Sequence, residues 1–186
     1  MKRVFDLVGS LVALVIFAPL FLICALAVRL TSKGPVFYVS DRIGANNSHF
    51  DMLKFRTMRT DTPQLATHLM TDPKVFLTPI GNFLRKSSLD ELPQLINVIR
   101  GEMSIVGPRP ALFNQEDQIS LRTESGAHVL TPGITGWAQI NGRDDIPIAR
   151  KVELDTWYLH NRSFALDLKI IFLTAWNVVR RQGVSH

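Results

Sequence analysis

The chain has 186 residues, a net charge of +5 and a pI near 9.7. That length suits one domain with a real core, and the basic balance points to anionic partners: nucleic acid, anionic lipid or phosphorylated substrates. A single cysteine, Cys24, excludes an internal disulfide, and no Cys/His ligand spacing, internal repeat or G-x-x-x-x-G-K-[ST] loop is present.

No charged residue occurs from Leu7 to Val28, "LVGSLVALVIFAPLFLICALAV", a length that suits a membrane helix. A cleaved signal peptide has the right basic start in Lys2 and Arg3 but fits poorly, because the apolar run is long. A simple span and a re-entrant helix remain. Pro19, after Ala18, leaves the Val15 carbonyl without its helical donor and invites a kink. Lys2 and Arg3 precede the run while Arg29 and Lys33 follow it, so the positive-inside tendency asks for both ends on one side. Kinked prolines are also tolerated in spans, so the two readings stay level on the residues alone.

"GPVFYVS" and "HFDMLKFRTM" predict two strands joined by the turn-rich "GANNS". Lys54 and Arg56 lie two apart on the second strand and are expected on one face, either as an exposed basic edge or as a clamp on phosphate. Residues 59–80 form a turn-rich connection with one short helix around Gln64 to Met70.

"SSLDELPQL", from Ser87 to Leu95, sets Asp90 beside Glu91. Ser88 and Glu91 fit the capping-box pattern at a helix start, and acids suit the positive end of the helix dipole. Pro93 disturbs that helix, since a proline past the first turn clashes and removes a donor. With Pro93 at the first helical position, Leu92 is the cap. In both cases the carboxylates sit where a helix begins, a place that also favours phosphate. "PQLINVIRG" then predicts a short helix closed by Gly101. "GPRPAL" holds Arg109 between two prolines on a stiff turn, suited to an oxyanion.

"NQEDQISLRTESGA" reads as an exposed helix whose charges are solvated. "TPGITGWAQINGR" reads either as a glycine-rich loop around a buried Trp or as a site: Trp137, Gln139, Asn141 and Arg143 offer a stacking face, two amides and a cation to a nucleobase or phosphate. "FALDLKIIFLTAWNVVRR" is helical in pattern, with Asp167, Thr174, Asn177 and Arg181 on one narrow stripe and a wide apolar face. Trp176, Arg180 and Arg181 suit a headgroup boundary.

"GPVFYVSDRIG", "KFRTM", "LRKSSLDELPQLINVIRGEMSIVGPRPAL", "PGITGWAQINGR" and "LDLKIIF" occur in this order. Together they closely resemble the monotopic phosphoglycosyl transferases, the bacterial sugar transferase family, over nearly the full length and in the minimal catalytic form. The resemblance implies an α+β, mostly helical monotopic membrane protein. Residues 1–32 would form a re-entrant helix, and 33–186 a cytoplasmic catalytic domain with interfacial amphipathic helices and a small β-hairpin. It breaks the tie over the N-terminal run and makes Pro19 the membrane break. Many relatives carry Ser-Pro there, whereas Ala18 offers no hydroxyl to a freed carbonyl.

The resemblance also implies the reaction. A sugar phosphate passes from a UDP-sugar to undecaprenyl phosphate at the cytoplasmic face of the bacterial inner membrane, UMP leaves, and the intermediate is covalent. This is the first membrane step of glycoconjugate and polysaccharide assembly. Mg²⁺ is the expected cofactor. The family's Asp-Glu dyad matches Asp90 and Glu91, which are expected to share catalysis and metal binding. Arg85 and Arg109 are candidate phosphate ligands, with Lys54 and Arg56 behind them, and Trp137, Gln139, Asn141 and Arg143 are candidates for the nucleotide. Adjacent helical residues do not face one another, so the acid pair is expected to act on different atoms or to lie in a bent turn forced by Pro93. Inner-membrane lipid is an expected partner, a homodimer is compatible, and nucleic acid is not expected, since the apolar run has no role there. Competing readings are a membrane-bound glycosyltransferase that releases UDP and a non-catalytic membrane-surface scaffold.

Overall fold

A computed structural model describes residues 1–62, 73–142 and 146–179. The architecture is α+β and mostly helical. Helix α1 (Lys2–Thr31) leads into an antiparallel hairpin of β1 (Phe37–Ile43) and β2 (His49–Phe55). Then come α2 (Gly81–Lys86), a 3₁₀ turn at Leu89–Glu91, α3 (Gln94–Arg100) and β3 (Ser104–Val106). Helix α4 (Glu116–Glu124), β4 (Gly133–Thr135), α5 (Trp137–Ile140), α6 (Ile148–Asn161) and α7 (Phe164–Val179) complete the order. The expected hairpin is present, with Phe37 opposite Phe55, Tyr38 opposite Lys54 and Ile43 opposite His49. The expected helix around Gln64 to Met70 lies outside the described residues.

Helix α1 runs through Pro19 and is long and apolar enough to cross a membrane. Its two ends dock on the same body. Near the start, Asp6 and Ser10 are buried; Asp6 accepts from Ser104 Oγ at 2.8 Å and from Ile105 N at 3.1 Å. Lys2 pairs with Asp167 on α7 at 2.8 Å, and Arg3 donates to the Val98 and Ile99 carbonyls that end α3. Near the other end, Cys24 and Val28 are buried with Phe55 of β2 and Leu84 of α2. Between these contacts Val15, Ile16, Phe17, Ala18 and Pro19 are all exposed. Five consecutive residues cover more than one helical turn. The middle of α1 therefore stands away from the domain on every side, while both ends return to it.

Strands β3 and β4 form a short parallel pair, Ser104 with Gly133 and Val106 with Thr135. Two glycines make it feasible. A Cβ on Gly133 would lie 2.1 Å from Gly107 N, and one on Gly136 would lie 2.0 Å from Gly107 O. The glycines of "TPGITG" thus let backbone pack on backbone beside the Pro108–Pro110 turn.

One sequence expectation needs correction in part. On α4, Glu116, Asp117 and Glu124 are exposed as expected, but Arg122 is buried and holds Asp155 of α6 through two hydrogen bonds, at 3.0 and 2.7 Å. The charge seeks a partner 33 residues away rather than water. The described part of the polar stripe of α7 faces inward. Asp167 is buried on Lys2 and Tyr158, and Thr174 bonds Thr135, whereas Phe164, Leu168, Phe172 and Trp176 point outward. The helix is amphipathic in the inverse sense for a soluble domain, with its apolar face left open.

Candidate active site

The site begins with a local failure of the capping box. Ser88 takes φ +57° and makes no side-chain cap bond. Leu89–Glu91 winds as a 3₁₀ turn, and Pro93 delays the α-helix to Gln94. This is the bent turn that Pro93 was expected to force. From this turn both adjacent carboxylates reach one cation. Lys54 Nζ, reaching from β2, lies 2.8 Å from Glu91 Oε1 and 4.0 Å from Asp90 Oδ2. Arg109 brings Nη1 to 3.7 Å from Glu91 Oε1.

The flanking leucines hold the turn in place. Leu89 and Leu92 pack against the cluster of Cys24, Val28, Phe55 and Leu84. Asp90 is therefore mounted directly on the second half of the apolar helix. Only 7% of it is exposed, and burial pushes its carboxyl up to about 6. Lys54, Arg85 and Arg109 pull it down while Glu91 pushes it up. A carboxyl poised there, ringed by cations, is both buried and ionised at neutral pH, as a nucleophile toward a phosphate requires.

Each cation is itself supported. Arg85 donates from Nε to Thr57 Oγ1 at 3.1 Å; burial lowers its affinity for its proton, and Asp90 opposes that. The Arg109 turn is tied back by Arg42, which donates to the Pro110 carbonyl at 3.1 Å, and by Ile43 N on the Ala111 carbonyl at 3.0 Å. Arg56 goes elsewhere. Its guanidinium donates to the Pro35 and Ser32 carbonyls and to Ser32 Oγ, at the exit of α1. Lys54 and Arg56, expected together on one face, thus take different partners: Lys54 the acid pair, Arg56 the exit of α1.

In the second dense stretch, Trp137 stacks on Trp157 with centroids 4.6 Å apart. Asn141 donates from its amide to the Trp137 carbonyl at 2.8 Å. Gln139 buries both amide atoms without a hydrogen-bond partner among the described residues. Arg143 lies outside the described residues. None of these three described side chains hydrogen-bonds to the acid pair.

Sequence reasoning missed Asn97. It is fully buried on α3, accepts from Leu53 N at 2.9 Å, and donates to the Asp51 carbonyl at 2.7 Å and to Glu102 at 2.6 Å. It locks the helix after the acid pair to the strand that carries Lys54. An asparagine in an apolar helix was the available signal, since a buried amide needs partners.

Among the described residues no group of three or more His, Cys, Asp and Glu is placed to hold a metal. Two carboxylates that reach one cation do suit Mg²⁺, which takes one or two protein carboxylates and completes its shell with phosphate and water.

The chain is 46% identical over 188 residues to an uncharacterized sugar transferase, EpsL, of Bacillus subtilis, covering 100% of this chain and 91% of that one. It is 47% identical to an undecaprenyl-phosphate glucose phosphotransferase of Komagataeibacter xylinus, over 93% of this chain and 35% of the relative. It is 41% identical to a UDP-glucose:undecaprenyl-phosphate glucose-1-phosphate transferase of Escherichia coli, over 95% of this chain and 39% of the relative. The profile of the bacterial sugar transferases matches residues 1–181, and the chain belongs to that family.

Proposed function

We propose that this sugar transferase moves a sugar phosphate from a UDP-sugar to undecaprenyl phosphate in two steps at the cytoplasmic face of the bacterial inner membrane. One observation carries the reading: the buried Asp90, faced by Lys54, Arg85 and Arg109, is seated through Leu89 and Leu92 on the apolar helix. An Asp90 carboxylate oxygen attacks the sugar-bearing phosphorus. The bond from that phosphorus to the bridging oxygen breaks, and UMP leaves with the electron pair. A phosphate oxygen of the lipid acceptor then attacks the same phosphorus, and Asp90 is released as carboxylate. Splitting the transfer this way replaces one hard encounter by two easier ones. Arg85 and Arg109 hold phosphate oxygens, and Lys54 keeps both carboxylates charged and oriented. Glu91 shares the metal with Asp90 or takes the acceptor's proton. The chemistry Mg²⁺ supplies in such a site is neutralisation of charge between carboxylates and diphosphate. The Trp137–Arg143 segment takes the nucleoside end, where the unpartnered Gln139 amide suits the imide edge of uracil.

The same reading makes the chain monotopic. A helix that crosses a bilayer sends its ends to opposite faces. Here both ends of α1 dock on one domain while Val15–Pro19 stand clear, which supports entry and exit by one face with Pro19 near the turning point. The open apolar face of α7 supports contact with the same lipid surface.

The test is protein incubated with UDP-sugars and Mg²⁺ without acceptor. The expected result is stoichiometric UMP and a mass gain of one phosphosugar on Asp90, both lost in Asp90→Asn. Product formed only with both substrates present, or UDP in place of UMP, overturns the two-step route.

A further inference from the structure

We propose that Arg56 is a positioning residue that sets the depth of Asp90 relative to the bilayer; this rests on the membrane-acceptor reading above. Arg56 is 4% exposed, and among the described residues no carboxylate forms an ion pair with it. Its guanidinium spends its donors on neutral oxygens: Pro35 O at 2.6 Å, Ser32 O at 3.1 Å and Ser32 Oγ at 2.9 Å. A buried charge held only by neutral acceptors is costly, and burial accordingly lowers its affinity for its proton. A neutral side chain would be cheaper there if packing were the sole demand.

What those donors grip is the exit of the membrane helix. Ser32 caps α1, and Pro35 precedes β1. Gly34 between them takes φ +119°, and a Cβ on it would lie 2.8 Å from Thr60 Cγ2 and 3.5 Å from Arg56 Cζ. The linker is thus pressed against the guanidinium. Neighbouring residues of the same segment hold the site: Lys54 reaches Asp90 and Glu91, Phe55 packs on Cys24 and Val28, and Thr57 accepts from Arg85. One stretch of chain therefore fixes the anchor's exit and two of the cations facing Asp90.

The physical consequence is selective. The lipid acceptor's phosphate is confined to headgroup depth, whereas a soluble substrate approaches from water at any height. A loosened exit displaces Asp90 from that plane and penalises only the confined substrate, since reaction falls steeply with small errors of placement.

The experiment uses the full chain in nanodiscs, with Arg56→Gln and Arg56→Lys beside the wild type. Turnover is measured with undecaprenyl phosphate in the disc and with a short-chain, water-soluble polyprenyl phosphate added from solution. In Arg56→Gln the membrane acceptor loses about tenfold or more relative to the soluble one, and Arg56→Lys recovers part of the loss. Equal loss with both acceptors, or no loss with either, overturns the proposal. If Arg56→Gln does not fold, Ser32→Ala removes one of the guanidinium's acceptors and should shift the same ratio by a smaller factor; an unchanged ratio overturns it. The ratio does not depend on a covalent intermediate. Failure of the two-step reading shows separately, in wild-type protein that releases no UMP without acceptor.

Discussion

Lys54 Nζ lies 2.8 Å from Glu91 Oε1 and within 4.0 Å of Asp90, so one ammonium on a strand serves two adjacent carboxylates on a turn. Asn97 supports the contact by fixing the strand to the following helix. Removing the cation leaves two buried acids with less compensation. Lys54→Met should cut turnover by about a hundredfold or more, in line with loss of a charged partner in an active site. Because Lys54 holds Asp90 down, the acid limb of kcat/KM should also move to higher pH than in the wild type. A limb that stays in place would separate Lys54 from Asp90.

Asp90 couples stability to pH in an unusual direction for a carboxylate. Its carboxyl is raised from 3.8 to about 6, so the folded state binds the proton more tightly than the unfolded chain. The folded protein bears no penalty below about pH 4 and loses stability as pH rises through about 6. Above that the cost of the ionised, buried acid is on the order of 3 kcal/mol before any metal binds. Metal-free Asp90→Asn should therefore melt higher than wild type at pH 7.5, and the difference should vanish near pH 4. It should also be inactive at both. Thermal unfolding in chelator across that range checks this; a variant less stable at pH 7.5 contradicts it.

The Arg122–Asp155 pair joins α4 to α6 with side chains 10% and 2% exposed. Arg122→Met leaves Asp155 buried without its partner and should cost about 3–5 kcal/mol. Replacing both residues with apolar side chains should recover most of that. Urea unfolding of the single and double variants measures it, and additive losses would mean that the pair is not coupled.

Gln139 buries a carboxamide with no hydrogen-bond partner among the described residues. With the nucleoside assigned to this segment, Gln139→Ala should raise KM for the UDP-sugar about tenfold, or roughly 1.4 kcal/mol, with little change in the acceptor's KM. An unchanged donor KM would leave Gln139 as a buried side chain and no more.

Much of the fold was legible because its signals are local. The alternation of "GPVFYVS" and "HFDMLKFRTM" with turn residues between them predicts the hairpin; it forms, with β1 running on to Ile43 and β2 ending at Phe55. Pro93 signals a disturbed helix start, and Leu89–Glu91 winds as 3₁₀ before α3 begins at Gln94. Less legible were the destinations of side chains. Arg122 looked solvated on its own helix because Asp155 is 33 residues away. The polar stripe of α7 was legible on its own helix, but not that Asp167 meets Lys2 across 165 residues.

The sequence by itself determined the apolar helix, the hairpin, the acid pair at a proline-broken helix start and the set of basic residues available to it, since each is written in neighbouring residues. Only the tertiary structure decided which cations meet Asp90, that Arg56 turns to the helix exit, and that both ends of α1 dock on one body. Those outcomes depend on the packing of segments far apart in the chain, and a charge buried in that packing goes to whichever oxygens it brings within reach.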